Sequence, residues 1–210
     1  MDAARAAQVM AALEELYPEA KPELNFRNPF ETLIATILSA QGTDTRVNLV
    51  TAKLFPQYPD AFAMAKLTPE ELEPMIRECG LYRNKAKNIV AASRALVEKY
   101  DGRVPSTRQE LMALPGVGQK TAGVVLLAAF GDDQIPVDTH VFRVARRIGL
   151  ADANTPEKVE AQLRDILDRD IWSLGHHLII WHGRRCCHAR KPECARCPLE
   201  GGLCEKHMEN

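Results

Sequence analysis

An all-α fold is what this sequence predicts, and three observations predict it. Apolar residues recur at three- and four-residue spacing along most of the chain, helix-start signals recur with them, and convincing runs of period two are absent. With 210 residues, 46% of them hydrophobic, the chain can bury one substantial core or two smaller ones packed together.

In chain order, MDAARAAQVMAALEELY alternates apolar and charged residues at helical spacing, which predicts a helix over about 4–17. The same periodicity predicts helices over about 30–40 and 46–54. Thr68-Pro-Glu-Glu71 offers a hydroxyl cap, Pro at the first helical position and Glu three residues on, so a helix follows it. Another spans about 84–99. Thr107-Arg-Gln-Glu110 starts a further helix, and a very apolar one covers about 118–130. Asp138 stands one residue before a helix over about 139–148, which Gly149 closes. Thr155-Pro-Glu-Lys158 begins the next, and a last helix occupies about 171–182. No internal repeat or low-complexity linker stands out. A soft break falls near Gly131-Asp132-Asp133, where a Pro-containing turn follows the apolar helix.

Twenty-seven basic and 28 acidic residues give a formal net charge of -1, so no global field marks a nucleic-acid binder, and any such role rests on local patches. There is no apolar run near 20 residues and no charged-then-apolar leader, so no membrane partner is expected and a soluble, cytoplasmic protein is. The stretch from Cys79 to Val97 carries Arg83, Lys85, Lys87 and Arg94 without an acidic residue. Such a run is usually a solvated face, and beside a DNA-contacting loop it would be a phosphate track.

Leu114-Pro-Gly-Val-Gly118 separates two of the predicted helices. Its glycines allow a tight turn and leave no side chain between the amides and an incoming ligand, while the next helix starts with free N–H groups. That arrangement suits a phosphate, and equally an ordinary helix-helix turn. Lys120 follows at once, in the first turn of a helix, where the partial positive charge of the amides disfavours a cation. Capping alone would explain Asp138.

Six cysteines are present, four of them at 187, 194, 197 and 204, with Cys186 adjoining and Cys79 far away. In a chain expected to be cytosolic, such a cluster more often ligates a metal than forms disulfides. The spacing Cys187-x6-Cys194-x2-Cys197-x6-Cys204 fits tetrahedral zinc about as well as a [4Fe-4S] cluster.

LPGVGQKTAGVVLLAAFG followed by VDTHVFRVARRIGL resembles the helix-hairpin-helix and Gly/Pro/Asp segment of the endonuclease III-like DNA glycosylases, in the HhH-GPD superfamily. ELNFRNPFETLIATILSAQGTDTRVN at 23–48, GLYRNKAKNI at 80–89 and CHARKPECARC agree, so the resemblance runs from about residue 20 to the C-terminus. It implies two helical domains, 22–132 with the hairpin and 1–21 plus 133–210 with the cysteine loop, and DNA with a flipped base in the cleft between them. It also implies a base-excision-repair glycosylase and lyase acting on double-stranded DNA with damaged pyrimidines or abasic sites, as a monomer, nucleoid-associated if bacterial.

By that resemblance Lys120 and Asp138 match the catalytic pair, and Leu114, Gly116, Val117 and Gly118 grip a backbone phosphate. Cleaving an N-glycosidic bond builds positive charge on the sugar, and an amine can attack C1′ to form a covalent intermediate that opens to a Schiff base. A free lysine amine is almost wholly protonated in neutral solution. A positive helix end, the nearby basic 143–147 stretch and bound DNA that excludes water all favour the neutral amine, which gives the cation at 120 a purpose. An ionised Asp138 stabilises the developing sugar cation. Gln41 would fill the hole left by the extruded nucleotide and Leu81 would wedge the stack.

The resemblance also selects the [4Fe-4S] cluster, with Cys187 preferred to Cys186 because it keeps the first gap at six. Arg190 and Lys191, in the loop between the first two ligands, then face DNA phosphate. Three positions depart from the family pattern: Gly42 where alanine is usual, Gly123 where asparagine is common, and a last cysteine gap of six where five is usual. The alternatives are a non-catalytic helix-hairpin-helix DNA-binding protein with a structural metal site, which leaves Lys120 and Asp138 unexplained, and a zinc-stabilised interaction protein, which explains only the tail.

Overall fold

The structure is a computed structural model and describes residues 1–205. The last five residues of the expected second domain, 206–210, lie outside the described residues. Every regular element described is helical, and none is long and apolar enough to cross a membrane. The chain divides into two compact units, one of Pro22–Asp132 and one of Met1–Lys21 with the described chain from Asp133 onward.

The unit from Pro22 to Asp132 is organised around α2 (Pro29–Ser39), in which every residue from Phe30 to Leu38 is buried. A helix buried on all sides belongs in the middle of a core, and the hydroxyls of its Thr32 and Thr36 donate to carbonyls one turn back. Asn28 caps it by accepting from the Glu31 amide, and Pro29 takes the first helical position, where its missing N–H is harmless. α3 (Asp44–Leu54) starts from a Thr43 cap, and α4 (Ala61–Ala65) from Asp60. α5 (Pro69–Ile76) has a full capping box between Thr68 and Glu71, and a 3-10 turn at Arg77–Cys79 leads into α6 (Tyr82–Tyr100). α7 (Arg108–Met112) and α8 (Gln119–Phe130) complete the unit. α2 packs on α3, α6 and α8, and α6 on α4 and α5. Leu33, Ile34, Leu38, Leu72, Ile89, Leu96 and Leu111 form the fully buried centre.

The other unit joins α1 (Ala3–Leu16) to α9 (Thr139–Ile148), α10 (Pro156–Ile166) and α11 (Trp172–Arg185), followed by the cysteine loop. α11 packs on α9 and α1 around Val9, Leu13, Val141, Val144, Leu163 and Ile179. Tyr17 Oη lies 3.2 Å from His182 Nδ1, and Trp181 Nε1 donates to Lys21 O.

The periodicity locates every long helix to within a few residues. α4 is not among the expected helices, because five residues carry too little periodicity.

Candidate functional site

The sequence from α7 to α8 folds into a helix-hairpin-helix. Leu114 and Val117 point into the core at 3% and 7% exposure, while Gly116 and Gly118 are exposed. The apolar pair therefore anchors the turn and what it offers outward is backbone. The Val117 amide closes the turn on Leu114 O at 3.2 Å. Gly116 has φ +78°, and a Cβ there would lie 2.8 Å from Asn88 Cβ, so only glycine fits. Gly118 is different. Its φ is -97° and a Cβ would meet nothing within 4 Å.

Gly118 caps α8 without a side chain, and the first turn of α8 has no acidic residue. Its leading amides have no capping side-chain oxygen and no carboxylate in their own turn, which leaves them to a ligand. Lys120 is the second residue of this helix and is exposed.

Asp138 caps α9. One oxygen, Oδ1, accepts from the amides of both His140 and Val141 at 2.8 Å, so the cap does not use Oδ2. The carboxylate is only partly buried. Beside it, burial pushes the His140 imidazole down from its ordinary value, Asp138 pulls it up and Arg143 pushes it down further.

Gln41 and Leu81 are both exposed and both left-handed, at φ 55° and 47°. Among the described residues only two other non-glycine positions share that conformation: Asp101, which ends α6, and Lys191. A bulky residue held there stores strain, and such residues cluster where a side chain must be presented. Arg190 and Lys191 are both exposed.

Only part of the expected phosphate track is available, with Arg83 and Lys87 exposed one helical turn apart. Arg94 donates to the carbonyls of Ala65 and Leu67, Arg83 lies 3.9 Å from Glu73, and Lys85 is buried at 5% exposure. Helical spacing puts only Lys85 on the opposite face of α6, while Arg83, Lys87 and Arg94 share one. The basic stretch at 143–147 is likewise engaged elsewhere: Arg143 donates to the carbonyls of Gly183 and Cys187, and Arg147 to those of His188 and Ala189 at 2.6 and 3.0 Å. These guanidiniums hold the cysteine loop.

All six cysteines are free thiols. Cys187 Sγ lies 3.8 Å from Arg147 Nη1, Cys204 Sγ donates to Arg147 O, and Cys197 Sγ lies 3.6 Å from His182 Nε2. Among the described residues the donor atoms that lie within 4.8 Å of one another are those of His182, Cys186 and Cys197, a group that shares only Cys197 with the four expected ligands. Sequence reasoning missed His182, one helical turn before Cys186. Burial, and next the Cys197 sulfur, pushes the Cys186 thiol up. Arg147 Nε is buried with no hydrogen-bond partner among the described residues, an orphaned donor beside a thiol. A thiolate-bound group of negative charge would satisfy that donor, and the soft sulfur donors of this loop suit zinc or iron-sulfur. The C-terminal cysteines form a candidate metal site.

Residues 34–169 match the family model described as the HhH-GPD superfamily base excision DNA repair protein. The chain belongs to that superfamily. It is 47% identical to endonuclease III of Synechocystis sp. over 93% of its length and 90% of that protein, and 46% identical to endonuclease III of Escherichia coli K12 over 98% and 97%. A solved structure described as a trapped endonuclease III–DNA covalent intermediate superposes with a TM-score of 0.93 at 44% identity, covering 98% of this chain and 97% of that one. The chain is thus an enzyme of base excision repair, a DNA glycosylase with lyase activity.

Proposed function

We propose that this enzyme removes oxidised pyrimidines from double-stranded DNA, and cleaves the resulting abasic site, with Lys120 as nucleophile and Asp138 as its partner. The observation that carries the reading is the start of α8: an exposed amine two residues beyond a bare glycine cap, in a first turn with no carboxylate to neutralise it.

In the reaction the Lys120 nitrogen forms a bond to C1′ as the C1′–N bond to the base breaks. The electron pair leaves with the base, which takes up a proton, and the amine loses one. Ring opening at C1′–O4′ gives the Schiff base. The iminium acidifies the C2′ proton, and its loss expels the 3′ phosphate by β-elimination. Asp138 Oδ2, which the cap does not use, stabilises positive charge on the sugar, while Oδ1 stays bound to the helix amides.

The hairpin Leu114–Gly118 binds backbone phosphate through amides, Arg190 and Lys191 add charge to phosphate, and Gln41 and Leu81 occupy the stack vacated by the flipped nucleotide. Cys187, Cys194, Cys197 and Cys204 would hold a [4Fe-4S] cluster, which supplies structural cross-linking of the loop that carries Arg190 and Lys191. Gly201 and Gly202, at φ +90° and +144° with open space around both, let the longer last gap loop outward. The enzyme acts as a monomer and, in a bacterium, with the nucleoid in the cytoplasm.

Borohydride trapping on a duplex with an oxidised pyrimidine tests the reading. Wild-type protein should form a covalent adduct, and Lys120→Gln should form none. An adduct at the wild-type rate from Lys120→Gln would mean that another amine is the nucleophile.

A further inference from the structure

Lys85 is the one buried cation in this region that neither the hairpin nor the reaction uses. It lies in α6 at 5% exposure, and its ammonium donates to Leu38 O at 2.7 Å and to Cys79 O at 2.5 Å. Leu38 is in the last turn of α2, three residues before Gln41, and Cys79 ends the 3-10 turn, two residues before Leu81. Carbonyls at helix ends lack intrahelical donors and carry partial negative charge, so an ammonium satisfies both at once. The two turns also meet directly: a Cβ on Gly42 would stand 3.5 Å from Cys79 O.

Burying an ammonium is costly, and desolvation pushes Lys85 below the ordinary lysine value while the Cys79 thiol acts the other way. An apolar residue of the same volume would avoid that cost but leave both carbonyls without a donor, so the cation does something that packing alone does not. What it contributes is geometry. Gln41 and Leu81 are strained, left-handed and each just past the end of its element. A strained turn persists only where its surroundings over-determine it. The Arg46–Glu78 ion pair also ties α3 to the 3-10 turn, but both partners are more than half exposed and such pairs contribute little.

We propose that Lys85 is a positioning residue that clamps the Gln41 and Leu81 turns into one rigid fork, so that both side chains enter the duplex in register when a nucleotide is extruded. The proposal rests on the reading of Gln41 and Leu81 as the stack-filling pair. Being buried, Lys85 need not touch DNA at all.

The test uses Lys85→Met, which keeps the volume and removes the donors, and Lys85→Gln, whose amide still offers two N–H groups. Extrusion is followed by the fluorescence of 2-aminopurine placed beside the lesion, in single turnover, with strand cleavage of a pre-formed abasic site as the second readout. Lys85→Met should slow extrusion roughly ten- to a hundredfold, the size expected when two buried acceptors lose their donor, with a much smaller effect on the abasic substrate. Lys85→Gln should recover part of the loss. In a Gln41→Ala/Leu81→Ala background, Lys85→Met should add little, because the clamp then has nothing to hold. If Lys85→Met folds poorly, the same cycle is run with Lys85→Gln. Normal extrusion in both Lys85 variants alongside slow extrusion in the double variant would overturn the clamp alone. Normal extrusion in the double variant would instead remove the reading of the two turns on which the clamp depends. Equal additive losses in both backgrounds would make Lys85 a core residue only.

Discussion

Two helix starts in this protein solve the same problem in opposite ways. α9 begins with a carboxylate that binds two of its amides, a cap worth about 0.5–2 kcal/mol relative to alanine. α8 begins with glycine, no capping side chain and a lysine in its first turn. Judged by helix stability the first is good and the second poor. Yet the hairpin around α8 is anchored firmly, with Leu111 and Leu114 in the core and Gly116 at a left-handed φ where a Cβ would clash with Asn88. A poor start held in a rigid frame is therefore a start kept open for something else.

Lys120→Gln carries the largest expected effect: glycosylase turnover falls by several orders of magnitude and the borohydride adduct disappears, while gel-shift binding of damaged duplex survives. Asp138→Asn comes next. An amide oxygen still caps α9, so the melting temperature should hardly move, but turnover should fall and some adduct should still be trapped. Asp138→Ala should lose about 0.5–2 kcal/mol as well, read by urea unfolding, because it removes cap and charge together. If Asn and Ala proved equally stable, the cap would not be what holds α9.

The two hairpin glycines separate frame from site. Gly116→Ala meets Asn88 and the wrong φ at once, and should cost about 1–3 kcal/mol in denaturant unfolding. Gly118→Ala meets neither, so it should cost less than about 1 kcal/mol while weakening DNA binding, because the added methyl shields the open amides. Binding that tolerated Gly118→Ala would show that no phosphate sits there. Smallest is the effect of Lys120→Gln on stability, a gain of about 0.3–1 kcal/mol as the cation leaves a positive helix end.

Much of this architecture is legible in the amino-acid sequence. Repeating cap signals such as Thr68-Pro-Glu-Glu71 and steady helical spacing are local, and local rules decide the helices. The hairpin and Lys120 are visible because they violate those rules. Less visible is anything that depends on which face a side chain takes after packing. Lys85 reads as part of a solvated basic run because its neighbours are basic, but the face of α6 it occupies is the one turned toward the end of α2. Arg143 and Arg147 read as free charge, and are spent on carbonyls some 40 residues further along the chain. His182 gives no cysteine-like signal, and only the fold brings its ring to Cys197.

The division of the chain has a consequence for how the protein is made. α1 leaves the ribosome before the other described helices, yet its apolar face packs on α11, and Tyr17 meets His182, which is added 165 residues later. At typical synthesis rates that is a wait of roughly 8 to 30 seconds. Meanwhile the whole of Pro22–Asp132 emerges and has every contact of its own core within reach. The nascent chain thus carries Val9, Met10 and Leu13 uncovered while the middle of the protein folds. The alanine-rich, charged opening of α1 keeps that waiting segment from being a long apolar strand, the form most prone to aggregate.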